Sequence, residues 1–534
     1  MAGKKCRSIN VLKKVALLTL LALAVVFCAG IDLRNARLAM ISYSPPPEQQ
    51  FAVTSLNLGQ RGQTGPKISL AGAKNEYLIL PFRVQGADLA TFKASVSGKG
   101  IGQGIEYKFY QLSWAAPSSR GKFAPDALKP LAQDLVDTGT ALEIWAIIKI
   151  SAGVNAGLYP QELTFSDQKA SHKQPLELRV WNFTLPDDLP ITIMGNFWGT
   201  DKWFIRYGVK SAEQFDSVVK AYLSSMREYK FNALGDRLYQ FPVNKLVPGT
   251  RVEDTPGYHQ LVNYALNDLK YRYFSLPRLP VHDKQNFMDP KGILMQRFDT
   301  YYSLFKDYLH RHRWENRAMN IILDEPEQKD FPKVYEVYTR FKKIAPSIKT
   351  YCTGRAGPEV QLAKSIDVWV IAGKFVDSAK IAAARNAGQE IWLYDNRLHK
   401  VRHPLVGPRL VGWLLYHHKF SGYYFWAVNH WDTDPWTGDD FRLRGGIFYN
   451  PDPANGLPLP TARLEALRRG FHDYQYLLLL DQARERGRVD PKVYSDIREA
   501  VNHLTKQRFS DGMPQATMAQ LESLRFRIGE ILNQ

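Results

Sequence analysis

The alternation of short apolar segments with amphipathic helical segments between Ile191 and Ala427 is the feature that most constrains the fold of this chain. Each apolar segment has the length and the bounding turn residues of a buried strand, and helical spacing of apolar residues follows it. Eight strands in such an order predict a closed (β/α)8 barrel of the TIM type. The predicted strands are Ile191–Phe197, Phe231–Leu234, Tyr273–Leu279, Met319–Leu323, Lys349–Cys352, Val368–Ile371, Glu390–Tyr394 and Gly422–Ala427.

The segments on either side of the predicted barrel have other patterns. Between residues 51 and 185, β-rich runs such as Leu142–Ile150 are separated by turns rich in Gly, Pro and Ser, which is typical of a β-sandwich. From Thr461 onward, apolar residues recur at helical spacing. The fold class is therefore α/β plus all-β. The predicted segments are a leader at 1–40, a β-sandwich domain at 41–188, a catalytic barrel at 189–458 and helices packed on the barrel at 459–534.

The first 40 residues have the pattern of an export leader. Five basic residues precede an apolar stretch from Val15 to Gly30. This stretch is longer than many signal-peptide cores but shorter than the ~20 residues that span a bilayer comfortably. Cleavage as a signal peptide and inner-membrane attachment through residues 15–30 therefore both remain open. In either case we expect an exported protein that is periplasmic, secreted or anchored on the extracytoplasmic side of the membrane.

Cysteine usage and charge narrow the class of protein further. Of the three cysteines, Cys6 and Cys28 lie in the leader, so the rest of the chain has a single thiol and no intrachain disulfide. Lipidation of Cys28 is disfavoured because Phe27 stands where a small residue is expected. The formal charge of +18 falls to +12 beyond residue 40, since the leader holds seven basic residues and one acidic residue. For an exported protein, dispersed basic charge favours a polysaccharide or the cell envelope over nucleic acid as partner, and a solvated basic face without a partner is favoured over either.

A pair of adjacent acidic residues ends the fourth predicted strand. Asp324 and Glu325 follow the apolar run Met319–Leu323 and precede the strand-breaking Pro326. Active sites of (β/α)8 barrels lie at this end of the strands, which makes the pair a candidate acid–base site. Because consecutive strand residues point to opposite faces, a bend must re-aim one of the two carboxylates. A solvated strand end or a helix cap is the structural alternative that the pattern leaves open.

Aromatic and amide residues are concentrated at the same end of the other predicted strands. An indole or phenol ring offers a flat apolar face to the C–H side of a sugar, and amide groups bind hydroxyls. Each aromatic taken singly is more often a core residue, but several indoles beside polar groups pack poorly as a closed core. The predicted substrate-binding residues are Asn196, Trp392, Tyr394, Trp426, Asn429 and Trp431.

The order of several motifs resembles glycoside hydrolase family 123. The run ILDEP is followed by KIAPSIKTYCTG, IDVWV, EIWLYDNR, GWLLYHHKFSGYYFWAVNHWDTDPW and then ARLEALRRGFHDYQYLLLL. The upstream segments PDALKPL, EIWAIIKISAGVNAGLYP and LELRVWNFTLP are similar to the β-sandwich that precedes the barrel in that family. The resemblance covers nearly the whole chain after the leader.

This resemblance implies a retaining β-N-acetylgalactosaminidase activity with substrate assistance. Glu325 would be the general acid that protonates the glycosidic oxygen and later the base that activates water. Asp324 would orient and charge-stabilise the 2-acetamido group, whose carbonyl oxygen attacks the anomeric carbon. Tyr394 would steady that group, while the predicted indoles shape the pocket wall and the asparagines bind hydroxyls. For residues matched beyond the barrel, ion pairing is favoured over catalysis; these are Arg463, Arg468 and Asp473.

Three functions remain open from the sequence. The first is substrate-assisted hydrolysis of β-linked N-acetylhexosamine, with N-acetylgalactosamine favoured. The second is hydrolysis of another envelope or exopolysaccharide sugar, and the third is polysaccharide binding without catalysis. No cofactor and no catalytic metal are predicted: His310 and His312 are two apart and His417 and His418 are adjacent, so neither pair has the i, i+4 spacing that places two ligands on one helix face, and a structural metal is left open. The predicted partner is an oligo- or polysaccharide, not nucleic acid, and the oligomeric state is left open.

Overall fold

The structure is a computed structural model, and the leader predicted at residues 1–40 lies outside the residues that it describes. The described residues are 54–58, 63–114, 125–131, 142–199, 203–239, 241, 250–255, 257–279, 293–354, 362, 364–373, 376–400, 404–431, 435–436, 447–506 and 516–534.

Two β-sheets form the N-terminal part of the described chain. Their strands are β1 Thr54–Asn57, β2 Gln63–Thr64, β3 Ile68–Lys74, β4 Glu76–Gln85, β5 Lys93–Gly98, β6 Ile105–Trp114, β7 Pro125–Pro130, β8 Leu142–Ile150, β9 Gly157–Ser166 and β10 Ser171–Thr184. One sheet has the order β1-β4-β8-β6-β7, and the other has the order β2-β10-β9-β5 with β3 paired to β10. Apolar residues from both sheets, including Leu80, Phe82 and Leu163, pack together as one core. The predicted β-rich N-terminal part is confirmed.

Eight parallel strands close the barrel, which confirms the predicted (β/α)8 fold. They are β11 Thr192–Asn196, β12 Ala233–Leu234, β13 Tyr273–Ser275, β14 Ala318–Asp324, β15 Lys349–Gly354, β16 Val368–Ala372, β17 Glu390–Tyr394 and β18 Gly422–Trp426. Each strand pairs with the next along the chain, and β18 pairs with β11 to close the ring. The third strand is shorter than predicted because Pro277, which has no N–H group, follows it closely.

Helices surround the barrel and complete the C-terminal part. They are α1 Trp203–Arg206, α2 Ala212–Glu228, α3 Tyr258–Asn263, α4 Ile293–His312, α5 Phe331–Ile344, α6 Ser378–Asn386, α7 Val406–His417, α8 Ala462–Glu485, α9 Pro491–Thr505 and α10 Met518–Leu532. A short hairpin of β19 Tyr449–Pro451 and β20 Pro458–Pro460 precedes α8. Helix α2 begins with a capping box, in which Ser211 and Gln214 bond each other's backbone N–H groups. None of the described helices is long and apolar enough to span a membrane.

The barrel has an inner core and an outer core. Met319, Ile321 and Val368 pack inside the ring of strands, whereas Ile322 and Phe341 belong to the layer between strands and helices. Strands β4 and β8 are also buried on their outer face, where Ile79 and other residues of the first sheet pack against Ala462 of α8. Burial on both faces explains why these two strands have nearly continuous apolar sequences.

A fully buried group of ions joins the first sheet, helix α7 and the C-terminal helices. The Arg409 guanidinium lies 2.7 and 3.1 Å from the two Asp473 carboxylate oxygens, and Arg525 Nη2 lies 2.6 Å from Glu76 Oε1. The ion-pair role expected for Asp473 is therefore confirmed. We call this group the seam cluster; its members are Glu76, Arg409, Arg469, Asp473, Glu522 and Arg525, all at most 1% exposed.

Candidate active site

A β-bulge in β14 aims Asp324 at the mouth of the barrel. Ile321 faces the barrel interior, but both Ile322 and Leu323 contact the outer core, and the pairing with β15 shifts between Ile321 and Asp324. The Tyr338 hydroxyl accepts hydrogen bonds from the backbone N–H groups of Ile322 (3.1 Å) and Leu323 (3.3 Å). Because a bulge adds one residue to the alternation, the side chain after it points to the other face. Asp324 thereby meets residues from the neighbouring strand ends.

Two donors bind the Asp324 carboxylate. Thr353 Oγ1, from β15, donates to Oδ1, and Arg278 Nη1 donates to Oδ2 at 3.2 Å. The side chain is still 48% exposed. Burial by itself raises the pKa of Asp324, but the Arg278 cation and the Thr353 hydrogen bond outweigh it, so the pKa is lowered from its usual value. Asp324 is therefore an ionised carboxylate with one side open to a ligand.

Glu325 follows in a left-handed backbone conformation. Its φ is +46°, which residues other than glycine rarely adopt. Its backbone N–H donates to Thr353 Oγ1 at 2.8 Å, so the hydroxyl that holds Asp324 also fixes the turn at Glu325. Such a turn is the bend that adjacent carboxylates on a strand end require if both are to serve one site.

Tyr394, at the end of β17, has a phenol whose pKa is raised by its surroundings. Burial is the largest cause, and the negative charges of Glu325 and Asp324 raise the pKa further. Asn396 Nδ2 donates to this hydroxyl at 3.1 Å and to the backbone oxygen of Trp426 at 2.7 Å. The ends of β17 and β18 are thus tied together. A neutral phenol beside two carboxylates is a donor ready for an anionic or carbonyl oxygen.

The ends of the first three barrel strands supply a chain of polar contacts to Asp324. Asn196 Nδ2 donates to Asp236 Oδ1 at 3.1 Å and to the Tyr424 hydroxyl at 2.9 Å. Asp236 is fully buried, and its Oδ2 lies 2.8 Å from Arg278 Nε. Asp236 and Arg278 lie at the ends of the second and third predicted strands, which was the available signal, but neither was among the predicted site residues. We call these residues the mouth network; its members are Asn196, Asp236, Arg278, Asp324 and Thr353.

Three predicted substrate-binding residues are almost completely buried. Trp392 is 1% exposed inside the barrel, where its indole N–H donates to Glu390 at the start of the strand. Trp431 is also 1% exposed and donates to the backbone oxygen of Tyr449 in the outer core. Asn429 is fully buried. In these positions the structure gives no support to direct sugar contact by Trp392, Asn429 or Trp431, and Asn196, although part of the mouth network, is 1% exposed.

Aromatic rings at the mouth come from Trp426 and from Trp198, which was not among the predicted substrate-binding residues. The Asn429 side-chain oxygen accepts a hydrogen bond from the backbone N–H of Trp198 at 2.7 Å, and its Nδ2 donates to the backbone oxygen of Trp198 at 3.0 Å. The Trp198 ring stacks on His430 with a centroid distance of 3.9 Å, and His430 lies 5.3 Å from the Trp426 ring. Both indoles are partly exposed. The position of Trp198 directly after the first strand was the signal that could have identified it.

A cavity of about 700 Å³ lies at the other end of the barrel. Its wall includes Pro190, Asn232, Arg272 and Arg317, each of which precedes a barrel strand by no more than two residues. The N-terminal face of such barrels serves stability rather than chemistry. We therefore place the candidate site at Asp324 and Glu325, not at this cavity. Among the described residues, no three His, Cys, Asp or Glu side chains are grouped to hold a metal ion.

Comparison with known proteins agrees with the fold. Residues 293–480, which include Asp324, Glu325 and Tyr394, match the family described as Glycoside hydrolase 123, catalytic domain. A family 123 glycoside hydrolase from Clostridium perfringens, analysed for glycolipid glycan hydrolysis, superposes with a TM-score of 0.67 at 13% identity, over 88% of this chain and 93% of that one. This structural likeness shows a shared fold.

Other solved structures are less similar. An endo-β-1,4-mannanase from Thermotoga petrophila has a TM-score of 0.36 at 11% identity, over 54% of this chain and 77% of that one. A GH10 xylanase with a bacterial Ig-like domain, from termite gut, has a TM-score of 0.29 at 12% identity, over 76% and 99% of the two chains. No curated protein matches the sequence. The catalytic-domain match over residues 293–480 confirms the predicted resemblance to glycoside hydrolase family 123 and supports glycosidase activity for this chain.

Proposed function

We propose that this glycosidase cleaves β-linked N-acetylhexosamine, with N-acetylgalactosamine favoured, from an extracytoplasmic glycan by a retaining, substrate-assisted reaction. The observation that carries the proposal is the different setting of the two adjacent carboxylates. Asp324 is bound by a cation and a hydroxyl that keep it ionised, whereas Glu325 follows it in a strained turn at the mouth of the barrel. One carboxylate is thus suited to hold charge and the other to transfer a proton.

In the first step, the Glu325 carboxyl donates its proton to the glycosidic oxygen as the bond between that oxygen and the anomeric carbon breaks. The carbonyl oxygen of the 2-acetamido group forms a bond to the anomeric carbon and gives an oxazolinium ion. Asp324 accepts a hydrogen bond from the acetamido N–H group and stabilises the positive charge that develops on the oxazolinium ion. In the second step, Glu325 removes a proton from water, whose oxygen attacks the anomeric carbon and restores the acetamido group with net retention.

Neighbouring residues support this division of roles. Tyr394, a neutral phenol at the end of β17, donates to the acetamido oxygen. The partly exposed Trp426 gives the sugar ring an apolar surface. The Clostridium perfringens relative was analysed for glycolipid glycan hydrolysis, and a glycan of that kind is a reasonable first substrate class to test.

The alternatives are a glycosidase for another envelope or exopolysaccharide sugar and a protein that binds polysaccharide without cleaving it. A binding site alone has no need of a proton-transferring carboxyl beside an ionised one, which disfavours the second alternative. Export rests on the leader pattern of residues 1–40 and stays a prediction.

The proposal is tested with the full-length protein on aryl β-N-acetylgalactosaminide and aryl β-N-acetylglucosaminide. We expect turnover of the first to exceed that of the second, and losses of about 100-fold or more in kcat for both Asp324→Asn and Glu325→Gln. Asp299→Asn is the matched control, because Asp299 pairs with Arg340 on the outer helices and has no contact with the site. An oxazoline-mimicking thiazoline should inhibit the wild-type protein. Turnover of other sugars without thiazoline inhibition would refute substrate assistance.

A further inference from the structure

Arg278 spans two carboxylates with very different surroundings. Its Nε lies 2.8 Å from Asp236 Oδ2, and its Nη1 lies 3.2 Å from Asp324 Oδ2. The Arg278 side chain is 11% exposed, Asp236 is fully buried and Asp324 is 48% exposed. A guanidinium held by a buried carboxylate on one edge presents its other edge in a fixed direction. The position of the Asp324 carboxylate therefore depends on a residue that no substrate can reach.

Asp236 is itself fixed from two sides. Asn196 Nδ2 donates to its Oδ1 at 3.1 Å, and Arg237 Nε lies 3.4 Å from its Oδ2. Arg237 in turn lies over the Trp198 ring, 4.9 Å from its centroid. The Asp236 side chain is fully buried. Its contacts instead orient the arginine that binds Asp324.

Asp236 also balances charge. A bare arginine beside Asp324 would oppose the positive charge that develops on the oxazolinium ion in the proposed mechanism. With Asp236 present, the cations Arg278 and Arg237 face the anions Asp236 and Asp324 in equal number. Arg278 can then orient Asp324 without leaving the pocket net positive.

We propose that Arg278, anchored by the buried Asp236, is the positioning residue of Asp324 and sets both its orientation and the pH range in which it works. This inference rests on the proposed function. The lowered pKa of Asp324 agrees with it. The charged and titratable groups that surround Asp324, from every strand end packed against it, are Asp236, Arg237, Arg278, Glu325, Tyr351, Tyr394 and Tyr424.

The first experiment measures the pH profile of kcat and kcat/KM for the wild-type protein and three variants. In Arg278→Met, the pKa of Asp324 is no longer lowered by the cation, so the acid limb of the profile should move up by about one pH unit. We expect kcat to fall about 100-fold at the acid end and less at neutral pH. Arg278→Lys keeps the positive charge but cannot contact Asp236 and Asp324 through two edges of a guanidinium. The acid limb of its pH profile should stay near that of the wild-type protein, while kcat falls.

Asp236→Asn separates anchoring from charge. Removal of the buried anion leaves Arg278 with Asp324 as its carboxylate partner, so the acid limb should not move up, while kcat falls because the arginine is no longer oriented. Arg340→Met, which removes a guanidinium from the outer helices, is the matched control and should change neither quantity. A higher KM with kcat and the limb unchanged in Arg278→Met would overturn the proposal, because it would make Arg278 a substrate-binding residue.

A second experiment needs no substrate and therefore separates this inference from the proposed function. Arg278→Met and Asp324→Asn are combined in a double-mutant cycle, and the thermal unfolding midpoint is followed at pH 7. If the two residues form an ion pair, the effects of the two substitutions on the midpoint are not additive. The cost of taking Arg278 away from Asp236 is the same with and without Asp324, so it cancels in the cycle. Additive midpoints would overturn the positioning role even if the enzyme cleaves N-acetylhexosaminides. Non-additive midpoints in a protein that cleaves none would refute the proposed substrate while upholding the coupling.

Discussion

The seam cluster and the mouth network are made from the same kinds of residue but differ in exposure. Every member of the seam cluster is at most 1% exposed, and its three arginines meet three carboxylates. In the mouth network, Asp236 is fully buried, but its counterpart Asp324 is 48% exposed. A charge enclosed on all sides can only stabilise or destabilise the fold, whereas a carboxylate with one open side can also bind a ligand. The sealed carboxylates of the seam therefore serve structure, and Asp324 is available for chemistry.

The largest effect on stability is expected from breaking the seam cluster at one partner. Arg409→Met leaves Asp473 and Glu522 without one of their cations in a buried site, which should lower the free energy of unfolding by about 3–5 kcal/mol. Denaturant unfolding measures the loss. The kcat of molecules that remain folded should be unchanged. A loss of stability below about 1 kcal/mol, which is typical of exposed ion pairs, would contradict the structural role of the cluster.

Acid should weaken the seam cluster through its carboxylate Glu522. Burial raises the pKa of Glu522, but Arg409, Arg469 and Arg525 outweigh it and hold the pKa at about 2. Because this is below the usual value of about 4.3, Glu522 contributes stability at higher pH that is lost as the pH falls through that interval. Unfolding free energies measured between pH 5 and pH 2 should fall less steeply in Glu522→Gln than in wild type. Parallel curves for the two proteins would show that the carboxylate is not ionised in the fold.

Packing of the seam without its charges is tested at Gly412, where α7 crosses α8. A Cβ atom there would lie 1.8 Å from the backbone oxygen of Gly470, so the helices would have to separate. We expect Gly412→Ala to lower the free energy of unfolding by about 1–3 kcal/mol. Gly487→Ala is not a fair control because of its positive φ; Gly153→Ala, with open space at its Cβ, should cost less than the clash.

The smallest effect on stability is expected at the mouth. Asp324 is half exposed, so Asp324→Asn should change the free energy of unfolding by about 1 kcal/mol or less while abolishing most activity. Arg340→Met, on an exposed pair, should be equally mild and leave activity intact. If Asp324→Asn destabilised the protein as strongly as Arg409→Met, the distinction between the two regions would fail.

The barrel was predictable from sequence because strand length and helical spacing are local properties. All eight strands lie where the apolar runs placed them, with shifts at their ends such as the one before Pro277. Asp324 and Glu325 were predictable for the same reason, since they end a buried run. The bulge was not, because Ile321, Ile322 and Leu323 are all apolar and carry no alternation to show which residue faces inward.

The partners of Asp324 and the seam cluster were not predictable because they depend on contacts between distant segments. Arg469 reads as part of a solvated basic face on an amphipathic helix, and only the packing of α8 against α10 and Glu76 shows that it is buried. Trp392 and Trp431 illustrate the opposite error. Several indoles beside polar residues predicted an aromatic surface for sugar binding. Whether an indole faces a pocket or a core depends on the sheet and helices around it, and both of these indoles are buried.

The contacts of Thr353 have a consequence for the protonation of Asp324. A threonine hydroxyl carries a single proton, and the Glu325 amide, which is always a donor, occupies its oxygen as acceptor. The hydroxyl proton is therefore directed at Asp324 Oδ1, and that oxygen must be without a proton to receive it. The backbone turn at Glu325 thus fixes the polarity of the hydrogen-bond chain, and the neighbouring carboxylate is kept in its basic form by the direction of that chain as well as by charge.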